Sequence, residues 1–309
     1  MKIGIDIGGT KCAVVLGNEK EILKRIAFPT TTCEETLANI LKTVEEIGAG
    51  DAIGISCGGP LDEKKGLILS PPNLPDWDRV PIVDMLKEKF GIPAYLCNDA
   101  NACALAEWKY GAGQGTQNMI FMTFGTGLGA GLILDGRLYS GTNGMAGEVG
   151  HIRLCSHGPV GYGKAGSFEG FCSGSGIAQI GRELAMEQLQ IGKPLPYCKN
   201  ASDLPCINAK LLAEYAEAGD AVALEAYRIC GEMLGRGVSI LIDVLNPEVI
   251  VIGSIFQRSE NLLREQMERY LQKEALERSR TACRVVPAAL GNSIGDYAAL
   301  SVAFEGTRL

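Results

Sequence analysis

The sequence predicts an α/β protein made of two related halves, each with a central sheet. Two observations predict it. Ile3 to Leu16 sets two runs rich in Ile and Val around Gly8-Gly9-Thr10, and Ile120 to Leu134 sets two apolar runs around Gly125-Thr126-Gly127. Each reads as strand, tight glycine turn, strand. Strand-like and helix-like stretches also alternate along the chain, which suits sheets covered by helices.

In the first hairpin, Asp6 ends the leading strand, where an acid would approach a metal-bound phosphate. Gly8 and Gly9 let the backbone come close to an anion, and Thr10 and Lys11 add donors. An ordinary surface hairpin would read the same way. The echo at Gly125, Thr126 and Gly127 favours a duplicated domain with one phosphate loop per copy. That arrangement belongs to the actin, hexokinase and Hsp70 class of ATP-binding folds: ribonuclease H-like halves, two domains and a cleft between them. Gly125 to Ala130 also fits G-x-G-x-x-A, but that dinucleotide fingerprint needs a following helix. Here Gly131 to Leu134 continues as strand, and Asp135-Gly136 makes a hairpin turn. No G-x-x-x-x-G-K-[ST] is present.

The chain has 309 residues, enough for two domains, with 46% hydrophobic and 21% charged residues. A net charge of −7 without a basic block argues against nucleic acid as a partner. No run of 18 apolar residues exists, so no membrane span is expected. Met1-Lys2 leads straight into a strand without a signal peptide, which predicts a cytoplasmic protein. Eleven scattered cysteines without a C-x-x-C read as reduced packing residues, Cys12, Cys57 and Cys97 among them.

Further along, Leu37, Ile40, Leu41, Val44 and Ile47 fall at helical spacing within Glu34 to Ile47. Ala52 to Cys57 is a buried strand ending at Gly58-Gly59-Pro60. Ser70 to Trp77 is a proline-rich loop, either a rigid connector or a support presenting Asn73 to a ligand. Pro81 starts a helix that ends near Phe90-Gly91. Ala94 to Cys97 is a strand running into Asn98-Asp99-Ala100-Asn101 and another helix. Asp99 thus lies at or near a helix N-cap, a commonplace position for Asp. It equally lies at the C-terminal edge of a parallel sheet, where α/β enzymes place ligands. Gly141 to His151 has no regular pattern and carries Glu148 and His151. Gly158 to Gly176 is glycine-rich around Glu169. Helical spacing at Ala221 to Leu245, a strand at Val249 to Ile252, a loop opening at Gly253-Ser254, a charged helix at Glu260 to Ala275, a strand at Cys283 to Pro287 and a helix at Ile294 to Phe304 complete the chain.

Together these residues resemble the ROK family of sugar kinases and sugar-responsive repressors. The matches are Asp6 through Lys11, Gly59-Pro60, Asn73-Leu74, Asn98 through Asn101, Thr123 through Gly131, Gly147 through His151, Leu245 through Glu248, and Gly291-Asn292. The resemblance implies a hexokinase-like fold and a homodimer. It implies a smaller domain of residues 1–117 plus 295–309, with the last helix returning to it, and a larger one of 118–294. By resemblance Gly8, Gly9, Thr10, Lys11, Gly125, Thr126 and Gly127 hold the ATP phosphates, and Gly253 sits near the adenosine. Asn73, Asn98, Asp99, Glu148, His151 and Glu169 match positions that hold sugar hydroxyls. Asp99 matches the general base, kept ionised by its helix N-terminus. Mg²⁺ would be positioned through Asp6 and water. A hexose or an N-acetylhexosamine is the implied substrate. A non-catalytic sugar-sensing regulator of the same fold is the alternative, with intact Asp99 and both phosphate loops against it. With Asp6 so near the start of the sequence, the repressors' helix-turn-helix is not expected, which favours kinase over repressor.

One segment departs from the family. Its zinc-binding pattern C-x-C-G-x-x-G-C-x-E is replaced by Val160 to Glu169, which keeps the glycine frame and lacks all three cysteines. Structural zinc needs those thiolates, so none is expected. Tyr162 and Phe168 stand at or beside the former ligand positions and Phe171 follows, which predicts aromatic packing in place of the metal.

Overall fold

The computed structural model describes residues 1–306. In chain order, β1 (Lys2–Ile7), β2 (Lys11–Gly17) and β3 (Ile22–Pro29) lead into α1 (Cys33–Ile47) and β4 (Ile53–Cys57). A short ribbon, β5 (Leu61–Asp62) and β6 (Leu67–Ile68), precedes α2 (Ile82–Phe90), β7 (Ala94–Asn98) and α3 (Asp99–Tyr110). The second meander is β8 (Met119–Phe124), β9 (Leu128–Leu134) and β10 (Arg137–Leu138). After a 3-10 turn at Val149–His151 come the ribbon β11 (Val160–Gly161) and β12 (Lys164–Ala165), α4 (Phe168–Phe171), α5 (Gly174–Gln190), α6 (Ala209–Glu217) and α7 (Ala221–Leu245). β13 (Val249–Ile252), α8 (Ile255–Arg258), α9 (Glu260–Glu274), α10 (Glu277–Ala282), β14 (Arg284–Pro287) and α11 (Ile294–Glu305) follow.

The two five-stranded sheets have the same plan. One runs β3-β2-β1-β4-β7 and the other β10-β9-β8-β13-β14. In the first, β1 pairs antiparallel with β2 and parallel with β4, which is parallel to β7. In the second, β9 and β10 are antiparallel and β13 and β14 parallel. The echo between the two glycine hairpins is therefore an echo between whole sheets.

Composition explains the placement. β1 and β4 lie inside their sheet, and Ile3, Ile5, Ile7, Ile53 and Ile55 are all buried, as expected of strands covered on both faces. β3 is an edge strand and carries Lys24 and Arg25. In α1, Ile40, Val44 and Ile47 face the core, and Thr32 caps the first turn by accepting from Glu35 N. In α11, Ala298 to Ala303 are buried without a polar face, as suits a helix enclosed on all sides. Cys12, Cys57 and Cys97 are buried within β2, β4 and β7, and all the cysteines are free. Among the described residues no helix is long and apolar enough to cross a membrane.

Two compact units result. One comprises Met1–Phe121, Gly131–Ala146 and the residues from Ala289 on; the other comprises Met122–Ala130 and Gly147–Ala288. The sequence reading gave all of the second hairpin to the larger domain. The packing gives its far half to the first unit, because Gly131 of β9 backs closely on Ala100 and Ala104 of α3.

Candidate active site

In the first unit, Gly8 N donates to Lys11 O (3.1 Å) and closes the glycine turn. The Thr30 hydroxyl donates to Gly8 O (2.6 Å) and ties the turn to the end of β3. Gly9, Thr10 and Lys11 are exposed at its tip. The proline-rich loop reaches this turn. A Cβ on Gly9 would lie 2.6 Å from Asn73 Cβ, so a larger residue there would push the two apart. Asn73 itself is exposed, while Leu74 and Trp77 on either side of Pro75-Asp76 are buried and anchor the loop. Ser70 N donates to Trp77 O (2.9 Å) across its base.

Asp99 follows the C-terminal end of β7, beside that of β4. The cap is Asn98, whose Oδ1 accepts from Ala100 N (3.0 Å); Asp99 is the first helical residue, and its Oδ1 accepts from the same N–H (2.8 Å). Gly58 is close, a Cβ there lying 3.8 Å from Asp99 Oδ2.

The acids in this unit interact. Asp6 is pushed up to about 6, first by burial, then by the carboxylates of Asp296 and Asp99, while Lys11 and Arg25 pull it down. Asp99 is raised by burial, and its backbone donors pull the other way. Its side chain is exposed to water, so this burial is crowding by surrounding chain rather than loss of contact with solvent. The helix N-terminus was expected to hold Asp99 ionised; it supplies only the smaller side of that balance. Sequence reasoning missed Asp296. It is buried in the first turn of α11 and accepts from Arg25 Nε (2.7 Å). The preceding Gly295 leaves room for Asp6, since a Cβ there would fall inside contact distance of Asp6 Oδ2. The glycine inside an otherwise helical Ile294 to Phe304 was the available signal.

In the second unit, Gly125 N donates to Gly127 O (3.0 Å), and Gly129 N donates to Thr123 Oγ1 (3.0 Å). The turn meets the start of α5: Gly174 N donates to Gly125 O (2.8 Å) and the Ser175 hydroxyl to Thr126 O (3.1 Å). Gly253 is buried at the end of β13, its N–H donating to Met122 O (3.0 Å), and Ser254 follows with φ 56°. Glu169 Oε2 accepts from Leu128 N (3.0 Å), directly after the glycine turn. Ser167 caps α4 by accepting from Gly170 N (3.0 Å), and Phe168 is fully buried, so Glu169 is carried by a fixed helical turn. Glu148 and His151 are exposed on the 3-10 turn. The His151 carbonyl accepts from Lys164 Nζ (2.7 Å), and its ring lies edge-on to Tyr162 at 6.5 Å.

The altered zinc segment folds as the β11–β12 ribbon with Tyr162 and Gly163 at its tip, φ 43° and 74°. Tyr162 was expected to pack inward. It is 88% exposed, because the left-handed turn turns it out to solvent. Phe168 and Phe171 are buried as expected. Among the described residues no group of three or more His, Cys, Asp or Glu is arranged to hold a metal ion.

The ROK family model matches residues 2–305. The chain belongs to the ROK family. A glucokinase of Halalkalibacterium halodurans is 33% identical over 307 residues, covering 95% of this chain and 92% of its own. A solved ROK glucokinase from Streptomyces griseus, in complex with glucose and AMPPNP, superposes with a TM-score of 0.77 at 30% identity and 99% coverage of each chain. A xylose repressor of Caldicellulosiruptor bescii is 31% identical over 77% of this chain and 57% of its own length. This ROK protein thus has the hexokinase-like, actin-type fold expected of its paired glycine hairpins.

Proposed function

We propose that this ROK protein is an ATP-dependent sugar kinase of the glucokinase type. It transfers the terminal phosphoryl group of ATP to a hydroxyl of a hexose or N-acetylhexosamine. The observation that carries the reading is the first unit's sheet, which brings Asp6 with its glycine turn and Asp99 to the same sheet end, at the termini of β1 and β7.

Asp99 is the general base. Its carboxylate takes the proton of the attacking hydroxyl, and its raised pKa makes it a better acceptor than an ordinary aspartate. The transition state is loose, so positioning and charge neutralisation contribute more than base strength. Gly8, Gly9, Thr10, Lys11, Gly125, Thr126 and Gly127 take the nucleotide phosphates, with Gly253 beside the adenosine. Asn73, Asn98, Glu148, His151 and Glu169 hold sugar hydroxyls. Asp6 suits Mg²⁺ held through water: burial first, then Asp296 and Asp99, make its ionisation costly, and a cation would offset both. The ion would neutralise phosphate charge.

The test is a coupled ATPase assay across a panel of hexoses and N-acetylhexosamines. Sugar-dependent ADP release with at least one of them is expected. Tight sugar binding with no turnover across the panel would make the protein a sensor and overturn the reading.

A further inference from the structure

We propose that Glu63, on the β5–β6 ribbon, is a positioning residue for Asp99; this rests on the kinase reading above. β7 is the end strand of its sheet, so it has N–H groups without a neighbouring strand. The N–H of its last residue, Asn98, donates to Glu63 Oε1 at 2.7 Å. Asn98 in turn accepts from Ala100 N through its side chain. The residue between these two bonds is Asp99. Its backbone is therefore fixed on one side by a carboxylate from a separate ribbon and on the other by the helix cap.

Glu63 is half-buried, and burial raises its carboxyl while the Asn98 N–H lowers it. Holding an acid in such a place is costly unless its oxygen is used. Its other oxygen faces the backbone at Gly144, a Cβ there lying 3.8 Å from Oε2. Glu63 itself is not part of the hydrophobic core, which draws on β1, β2, β4, α1, α2 and β7 and takes Ile68 from the same ribbon. Substituting Glu63 removes no core side chain. Without Glu63 the Asn98 N–H turns to water and the Asn98–Ala100 turn loosens. A displacement of about 1 Å at a reacting group costs up to about 10²-fold in rate.

The test compares Glu63→Ala with Glu63→Gln, which keeps an acceptor oxygen at the same reach and drops the charge. Two readouts are taken: kcat and KM on the sugar turned over by the wild type, and hydrogen exchange of the Asn98 amide by NMR. Glu63→Ala is expected to lower kcat about tenfold, to raise KM for the sugar by a smaller factor because Asn98 also holds a sugar hydroxyl, and to lose Asn98 protection. Glu63→Gln is expected to restore both. The proposal is overturned if Glu63→Ala keeps wild-type kcat or Asn98 protection, or if Glu63→Gln is as impaired as Glu63→Ala. A wild type that turns over no sugar removes the kinase reading, and the exchange data then decide by themselves whether Glu63 holds Asn98.

Discussion

Replacing Phe168 with alanine tests how the Glu169 segment is held without zinc thiolates. The Phe168 ring is fully buried and lies so close to Gly237 of α7 that a Cβ there would overlap it. Its backbone is bonded on both sides: Phe168 N donates to Ile152 O (2.8 Å), and Phe168 O accepts from Cys172 N (2.8 Å). Removing a buried Phe ring costs about 3–5 kcal/mol, the upper part applying where the cavity cannot collapse. Gly237 has no side chain to move into the space. The α4 helix is a single turn, so part of the loss appears as local opening of the turn that carries Glu169 to Leu128 N. The expected result in urea unfolding is a destabilisation of about 3–5 kcal/mol. Calorimetric titration should show sugar affinity about tenfold or more weaker, equivalent to about 1.4 kcal/mol. Wild-type affinity should be unchanged by chelator. A destabilisation under about 1 kcal/mol with unchanged affinity, or weaker wild-type binding in chelator, would refute the reasoning.

Glu107 is fully buried, and its carboxylate accepts from the backbone N–H of Ala112, Ala289 and Leu290 at 2.8–3.1 Å. Glu107→Gln turns one acceptor oxygen into a donor facing an N–H, and should cost about 1–3 kcal/mol in thermal or urea unfolding. A change under about 0.5 kcal/mol would contradict that. For Asp6 the sign follows from a folded pKa raised from 3.8 to about 6: the folded state binds the proton more tightly, so stability falls as pH rises through that window. The Tm of Asp6→Asn should therefore gain on wild type between about pH 4 and 6 and stay higher above, even as turnover is lost; parallel Tm curves would refute it.

Both glycine hairpins were legible because a glycine turn between two short apolar runs has few other solutions. The β7-to-α3 boundary was legible too, but not which residue caps, since Asn98 and Asp99 are both good caps and adjacent. β3 was not, because an edge strand carrying Lys24 and Arg25 breaks the apolar alternation. α5 hid behind Gly174, Gly176 and Gly181, which lower helix propensity and read as loop. Asp296, Glu107 and Glu63 each act on residues distant in the chain, Asp296 and Arg25 being 271 positions apart. No local pattern marks such pairs. Tyr162 and Phe168 looked equivalent as aromatic replacements, and turn geometry separated them: one sits at a ribbon tip with positive φ, the other inside the first turn of a helix.

Asp99→Asn tests the central claim most directly. Asparagine keeps an oxygen for the Ala100 N–H and loses the base. Steady-state kinetics and calorimetry on the same preparation should show kcat at least ~10²-fold lower and sugar Kd within about threefold of wild type. Turnover close to wild type would remove Asp99 from the role of base, and loss of sugar binding in step with turnover would make it a binding residue only.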